Sequence, residues 1–226
     1  MSRLSSQGSD RRSSFLKPRD SWADVLLLER LAVPLTYGLA RFPTVTPTLV
    51  SATSIALRIV AAGLFATHSL RLGGAIYVLG LLLDGVDGKL ARLTARTSQV
   101  GGLLDYSADF GAFVALTILL AYGANAPLVL AASCAGCGVA SAFATESTGA
   151  QRAVILENKG VRGSWDRFTA SHRMVAAPGV VEMHLLLFGA APLFGAEAVT
   201  PVMSCATAYF LMAWTAKLWA ANGGRG

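Results

Sequence analysis

Six apolar stretches, each about as long as a lipid bilayer is thick, limit how this chain can fold. They lie near residues 47–67, 72–90, 100–122, 126–147, 174–194 and 198–220. A helix of about 20 residues is long enough to cross ~30 Å of hydrocarbon. Only 14% of the residues are charged and 54% are hydrophobic, which is too apolar for an ordinary soluble domain. The sequence therefore predicts an all-α integral membrane protein with six transmembrane helices.

A further amphipathic segment precedes these stretches, at residues 20–41. Ser21 is a cap-like residue with Asp24 three positions later, and Glu29, Arg30 and Pro34 interrupt an otherwise apolar pattern. This composition favours a helix lying in the membrane interface, with a first span charged at one end as the alternative. Residues 1–19 are polar and basic and predict a flexible tail, and residues 20–222 are predicted to form one membrane domain.

The positive charges indicate the orientation of the predicted spans. Seventeen of the 19 Lys and Arg residues fall on one side if the chain crosses six times, whereas Arg71 lies on the other side and Arg58 within the first span. Cytoplasmic loops carry such an excess, so both termini are predicted to be cytoplasmic. Anionic lipid headgroups and phosphate substrates account for the net charge of +6, and no nucleic acid is needed to explain it.

Four aspartates lie at the ends of the second and third stretches, where a charged side chain inside a membrane is energetically unfavourable. Asp84 and Asp87 are three residues apart and Asp105 and Asp109 are four apart, so each pair shares one helix face. A short polar link predicts adjacent, antiparallel helices, which brings all four carboxylates to one cytoplasmic level. Crowded acids of this kind suit Mg²⁺ or Mn²⁺, and two such ions can clamp a phosphoryl group. Charges that merely set topology are the less favoured interpretation.

The residues between the aspartates fit the same chemistry. Gly88 and Ala91 leave room for a flat group close to the backbone, and Arg92 can hold a phosphate by paired hydrogen bonds. Gly101 lets the next helix begin close to the first. The full pattern resembles the signature of the CDP-alcohol phosphatidyltransferase family, since every fixed position of that signature matches: Asp84-x-x-Asp87-Gly88-x-x-Ala91-Arg92, eight residues, then Gly101-x-x-x-Asp105-x-x-x-Asp109.

The remainder of the chain is also similar to that family, over roughly residues 20–220. Its plan of an interfacial helix and six spans matches, although Thr48 stands where the family usually has Asn in a Thr-Pro-Asn segment. The resemblance implies that a hydroxyl of a small acceptor attacks the β-phosphorus of a CDP-linked alcohol, often a CDP-linked lipid, and that CMP leaves. It also implies that Asp84, Asp87 and Asp105 bind metal, and that Asp109 binds metal and serves as general base.

The same resemblance implies contacts with the CDP group for Gly88, Arg92 and Ser98. The acceptor is less well defined by the sequence. Six cationic or titratable residues in the loop after the fourth stretch suit a phosphorylated acceptor, although a positive-inside loop gathers the same residues: Arg152, Lys159, Arg162, Arg167, His172 and Arg173. The start of the interfacial helix, with Asp20 and Trp22 in an Asp-x-Trp…Arg…Pro pattern, resembles the branch of the family that uses inositol phosphate acceptors. Glycerol 3-phosphate or another polar alcohol is the alternative.

Several alternatives remain open from the sequence. A cation-coupled transporter would explain intramembrane acids, but inverted repeats are not evident and the acids are not at mid-membrane depth. A silent helical scaffold would not explain the arginine and glycine spacing. The stretch of small residues around Cys134 and Cys137 predicts close packing within the monomer, with a homodimer interface as the alternative. Arg58, Glu146, Glu182 and His184 also lie in predicted spans and are not assigned to the active site.

Overall fold

A computed structural model of the protein describes residues 15–95, 99–158, 164–175 and 179–223, without the side chains of residues 99–108, 145–158, 164–166 and 220–223. In this part of the chain all regular elements are helices, and an isolated bridge joins Asp20 to Met174. We number the helices as follows: α1, a π-helical turn Asp24–Leu28 continued by Glu29–Leu39; α2, Pro47–Ala66; α3, Leu70–Leu93; α4, Gln99–Gly123; α5, Leu128–Asn158; α6, Ser164–Ser171; α7, Val180–His184, a π-helical turn Leu185–Ala190, and Ala191–Phe194; and α8, Ala196–Gly223.

The predicted helical class is confirmed, and helices occur at all six apolar stretches. The fifth begins at Val180 rather than near 174, because residues 173–175 pair with the segment before α1: Asp20 N donates to Arg173 O at 2.9 Å and Val175 N donates to Asp20 O at 3.0 Å. By length and composition, two helices of the described chain could cross a membrane, Pro47–Ala66 and Ala196–Trp219. The count of six spans remains a prediction.

Aromatic side chains fill the centre of the helical bundle. The ring of Phe113 on α4 lies 5.8 Å from the rings of both Phe188 on α7 and Phe210 on α8. A Cβ added at Gly138 on α5 would come within 2.5 Å of the Phe113 ring. Cys134, one turn before Gly138, is buried in the same core. The small residues of α5 therefore pack inside the monomer at these positions, as predicted, and the homodimer remains untested.

Helix α1 is fastened to α3 by a buried ion pair. Lys89, which is 1% exposed, donates from Nζ to Asp24 Oδ1 at 3.0 Å and to Oδ2 at 3.2 Å. The carboxylate of Asp20 lies close to that of Asp24. Burial and this neighbouring carboxyl raise the pKa of Asp24 to about 6, although Lys89 acts in the opposite direction. The pair joins α1 to the helix that carries the first half of the aspartate motif.

A second set of contacts links the start of the chain to the segment before α7. Arg173 donates from Nη1 and Nη2 to the two carboxylate oxygens of Glu29, both at 3.2 Å. Trp22 Nε1 donates to Val175 O at 2.7 Å, and Ala23 N donates to Glu182 Oε1 at 3.0 Å. Residues 15–19, which the sequence places in the tail, include the buried Phe15. Residues 1–14 lie outside the described part, so the tail remains a prediction.

Removing either partner of the Lys89–Asp24 pair should have unequal effects. Asp24→Asn leaves a buried ammonium without its carboxylate and should lower the free energy of unfolding by roughly 3–5 kcal/mol. Lys89→Met should be milder, because Asp24 can take up a proton, and the double variant should recover much of the loss. Thermal unfolding of the four proteins in detergent measures this. Strictly additive losses would contradict the pairing.

The raised pKa of Asp24 predicts a pH dependence of stability. Between its ordinary value of 3.8 and about 6, the folded protein retains a proton on Asp24 that the unfolded chain releases. Its contribution to stability should therefore fall as pH rises through this window and stay level above it. Unfolding measured from pH 4 to 7 should show a smaller downward slope in Asp24→Asn than in the wild type. Equal slopes would mean that Asp24 titrates normally.

A close backbone approach requires Gly123 at the end of α4. A Cβ there would lie 1.9 Å from Phe65 O, an atom of the α2 backbone that cannot rotate away. Gly123→Ala should therefore destabilise the protein by about 1–3 kcal/mol or more. Gly136→Ala on α5 is the matched control, because no atom lies within 4 Å of its added Cβ. Thermal unfolding in detergent should separate the two variants, and similar midpoints would contradict the close approach.

Candidate active site

The aspartate motif occupies the end of α3 and the beginning of α4. Asp84 and Asp87 lie one turn apart on α3; Asp84 has a side chain 42% exposed, whereas Asp87 is buried. Asp109 lies on α4 with its side chain 47% exposed. Asp105 and Gly101 lie in the helical backbone of α4, but their side-chain surroundings are outside the described part, as is Ser98 altogether. The geometry of the site can thus be followed through three of the four aspartates.

Arg58 on α2 joins the aspartates of two different helices. Its Nη2 lies 2.7 Å from Asp84 Oδ1, and its Nη1 donates to Asp109 Oδ1. The residue is 6% exposed. A buried guanidinium needs such partners, because an isolated charge removed from water is strongly unfavourable. Arg58 therefore brings the first and last acids of the motif to one point, as the sequence predicts for these two, and ties α2, α3 and α4 together there.

A cavity of about 250 Å³ opens beside these three charged residues. Its polar lining consists of Arg58, Asp84, Asp109 and His184, and its other walls are mostly apolar residues of α4, α5, α7 and α8. A smaller cavity of about 100 Å³ lies between α2 and α4 and also reaches Arg58 and Asp109. Charged groups facing a largely apolar cavity can hold the polar head of an amphipathic substrate while its apolar part stays out of water.

The predicted nucleotide-contact residues lie on the next two turns of α3. A Cβ added at Gly88 would stand 3.5 Å from Arg92 Nη1 and 4.0 Å from Nη2, so this glycine leaves space beside the guanidinium. Arg92 Nε donates to Phe15 O at 2.7 Å, which fixes the direction of the side chain. Ala91 lies between them on α3 and is half-buried. The segment before α1 thus orients the arginine predicted to hold phosphate.

The donor set fits hard divalent cations. Asp84 and Asp109 approach the same guanidinium from two helices, and Asp87 is one turn from Asp84. Carboxylate oxygens of this kind are preferred ligands of Mg²⁺ and Mn²⁺. We therefore find the described residues compatible with the predicted metal site, and their roles as ligands remain a prediction.

A second acidic group lies on and before α1. One carboxylate oxygen from each of Asp20, Asp24 and Glu29 lies within 4.8 Å of the others. The chain supplies its own cations to these acids: Lys89 to Asp24, Arg173 to Glu29, and Lys17 to Asp20 at 3.8 Å. This group is better explained as the junction between α1, α3 and the segment before α7.

Two residues that the sequence interpretation left out of the site line the main cavity. Arg58 contacts two motif aspartates, and His184 lies beside them with Nδ1 3.2 Å from Tyr77 Oη and its ring stacked on Phe113 at 5.0 Å. A charge inside an apolar stretch is a signal of function, and applied to Arg58 it would have found this residue. No sequence signal separates His184 from a packed histidine. Glu182 caps Gly179 and Ala23 instead, and Glu146 lies outside the described side chains.

The chain is similar to known proteins over most of its length. The sequence profile of the CDP-alcohol phosphatidyltransferase family matches residues 44–219. The fold resembles the crystal structure of the phosphatidylinositol phosphate synthase of Mycobacterium tuberculosis with CDP-DAG bound, with a TM-score of 0.62 and 17% identity, covering 84% of this chain and 94% of that one. At this identity the likeness concerns the fold alone.

Two curated relatives share a shorter segment. A protein named bifunctional IPC transferase and DIPP synthase from Rubrobacter xylanophilus is 41% identical over 87 residues, and one of the same name from Thermococcus kodakarensis is 42% identical over 88 residues. These matches cover 38% and 37% of this chain and span about a fifth of the relatives' length, 20% and 19%. The match to the family profile spans well over half of the chain and includes the whole aspartate motif, so this protein belongs to the CDP-alcohol phosphatidyltransferase family.

Proposed function

We propose that this protein transfers a substituted phosphate group from a CDP-alcohol to the hydroxyl of a small acceptor and releases CMP. The observation that carries the proposal is the convergence of Asp84 and Asp109, from two helices of the motif, on one charged point beside a largely apolar cavity. A CDP-lipid fits this arrangement, because its diphosphate can face the charged point while its apolar part remains among apolar walls. The structural neighbour has CDP-DAG bound, which supports the same class of donor.

Asp109 is the proposed general base. It lines both cavities, and its pairing with Arg58 fixes the direction of its carboxylate. The acceptor oxygen attacks the β-phosphorus as its proton passes to Asp109. The bond from that phosphorus to the bridging oxygen breaks, CMP leaves with the electron pair, and a phosphodiester forms. A positioned carboxylate of this kind typically contributes 10²–10⁴-fold to such a proton transfer.

Arg92 and the small residues near it are proposed to hold the CDP group. Because Arg92 Nε is bonded to Phe15 O, its terminal nitrogens are the donors that face the space at Gly88. Planar paired donors match the geometry of phosphate oxygens. Ala91, Ser98 and Gly101 complete this proposed contact region.

Asp84, Asp87, Asp105 and Asp109 are the proposed ligands of two Mg²⁺ or Mn²⁺ ions. Bound there, the ions would neutralise the diphosphate and the charge that develops on the leaving CMP. The four acids would otherwise repel one another in a medium of low dielectric.

The proposed setting is a membrane of the cell, with six spans formed by α2–α5, α7 and α8. The two apolar helices identified by length and composition support this setting, and the predicted charge asymmetry places both termini and the active site on the cytoplasmic side. Helix α1 would lie in the interface, and residues 20–222 would form the catalytic domain. A homodimer through exposed small residues remains part of the proposal.

We propose an inositol phosphate as the acceptor. The names of the two curated relatives, and the identity of the structural neighbour as a phosphatidylinositol phosphate synthase, support this choice over glycerol 3-phosphate. The guanidinium of Arg173 is bonded to Glu29 and to Lys17 O, so this residue is better explained as a support of α1. The acceptor phosphate is then assigned to other cations of the same loop, including the exposed Arg167.

The proposed function predicts metal-dependent release of CMP. Purified protein in nanodiscs with CDP-diacylglycerol and Mg²⁺ or Mn²⁺ should release CMP, and fastest with inositol phosphate in a panel containing glycerol 3-phosphate, inositol and serine. Asp109→Asn should lower turnover by about 10²–10⁴-fold while CDP-lipid still binds. Glu197→Gln, which removes an exposed acid at the start of α8, is the matched control and should leave turnover unchanged.

Three outcomes would contradict the proposal at different levels. Folded protein that releases no CMP with any acceptor would overturn the transfer reaction, and ion flux in liposomes without nucleotide would favour a transporter instead. Full turnover in Asp109→Asn would overturn the role of that residue only. A faster reaction with glycerol 3-phosphate would replace the acceptor and leave the chemistry intact.

A further inference from the structure

Arg58 occupies an unusual place among the charges of the site. It comes from α2, outside the aspartate motif, yet its two terminal nitrogens pair with the first and the last aspartate of that motif. Each pair uses Oδ1 of the carboxylate, and the two acids belong to different helices. The guanidinium therefore uses one oxygen from each of two carboxylates that are proposed metal ligands.

The burial of Arg58 makes these pairs difficult to replace. The residue is 6% exposed, and its Nε is buried without a hydrogen-bond partner within the described part of the chain. The guanidinium thus depends on Asp84 and Asp109 for its described polar contacts. If cations took both carboxylates entirely, a buried positive charge would be left unpaired, which is strongly unfavourable. Some contact between Arg58 and the acids should persist when ions bind.

We propose that Arg58 is a built-in competitor of the divalent cations, sharing the carboxylates of Asp84 and Asp109 with them. This inference rests on the proposed function, in which these acids are metal ligands. Arg58 lowers the affinity of the site for divalent cations by its charge and by its use of one oxygen from each acid. Each carboxylate has a second oxygen, so the guanidinium and an ion can be bound at the same time.

The charges of the site suggest what this competition achieves. Four aspartates and two divalent cations together are neutral, whereas the addition of Arg58 leaves one surplus positive charge. That surplus favours a negatively charged diphosphate at the same point. Arg58 therefore weakens the binding of the metal and strengthens the binding of the donor. A residue that only supported the fold would weaken both when removed, so the two roles have different signatures.

The test is to measure metal and donor binding separately in Arg58→Met. Mn²⁺ affinity, measured by electron paramagnetic resonance on protein in nanodiscs without nucleotide, should increase by at least ~10-fold, because a nearby buried positive charge is removed. The KM for CDP-diacylglycerol at saturating Mn²⁺ should rise by a similar factor, about 10-fold. Arg71→Met, the same substitution at an exposed position in the first turn of α3, should change neither quantity.

Two further variants keep the result interpretable. Arg58→Lys retains the charge and should keep both quantities close to the wild type. Arg58→Gln removes the charge but keeps hydrogen-bond donors, and should show tighter Mn²⁺ binding even if Arg58→Met does not fold. If wild-type protein releases CMP but Mn²⁺ binds equally or more weakly in the neutral variants, Arg58 is not a competitor and the proposed function stands. If neither the wild type nor the variants bind Mn²⁺, the metal assignment and this inference both fail.

Discussion

The burial of one guanidinium among carboxylates from two other helices organises the charged end of this protein. Arg58 is held by Asp84 and Asp109, and the three residues tie α2, α3 and α4 together beside the main cavity. A charge removed from water must find opposite charges close by, and at 6% exposure Arg58 has little water to turn to. The same requirement that stabilises the helix junction therefore places two acids at the wall of the main cavity.

A second buried ion pair lies about one turn further along α3, and it also joins two helices. Lys89 and Asp24 join the motif helix to α1, and Arg92 is oriented by the carbonyl of Phe15. Helix α1 is therefore part of the support of the proposed nucleotide-contact region. Through Glu29 and Arg173 it also reaches the segment before α7. Helix α1 thus supports both the region proposed to bind the donor and the segment next to the proposed acceptor loop.

Much of the helical architecture could be predicted, because long apolar stretches bounded by polar residues permit few alternatives to helices. Predicted boundaries agree closely for α2, which begins at Pro47. They fail for α7, because the apolar Met174 is the bridge partner of Asp20 and lies before the helix. The contact between α1 and α3 could not be predicted either, because Asp24 and Lys89 are 65 positions apart and neither residue indicates its partner.

The sequence by itself determined the helical class, the family signature and the identity of the four acids, because these depend on local spacing along single helices. Only the tertiary structure showed that Arg58 belongs among the acids and that His184 lines their cavity. It also showed that Arg173, a cation of the proposed acceptor loop, is bonded to Glu29. These assignments depend on which distant residues meet across helices. Charge pairing and packing in three dimensions decide that, and spacing along the chain does not encode it.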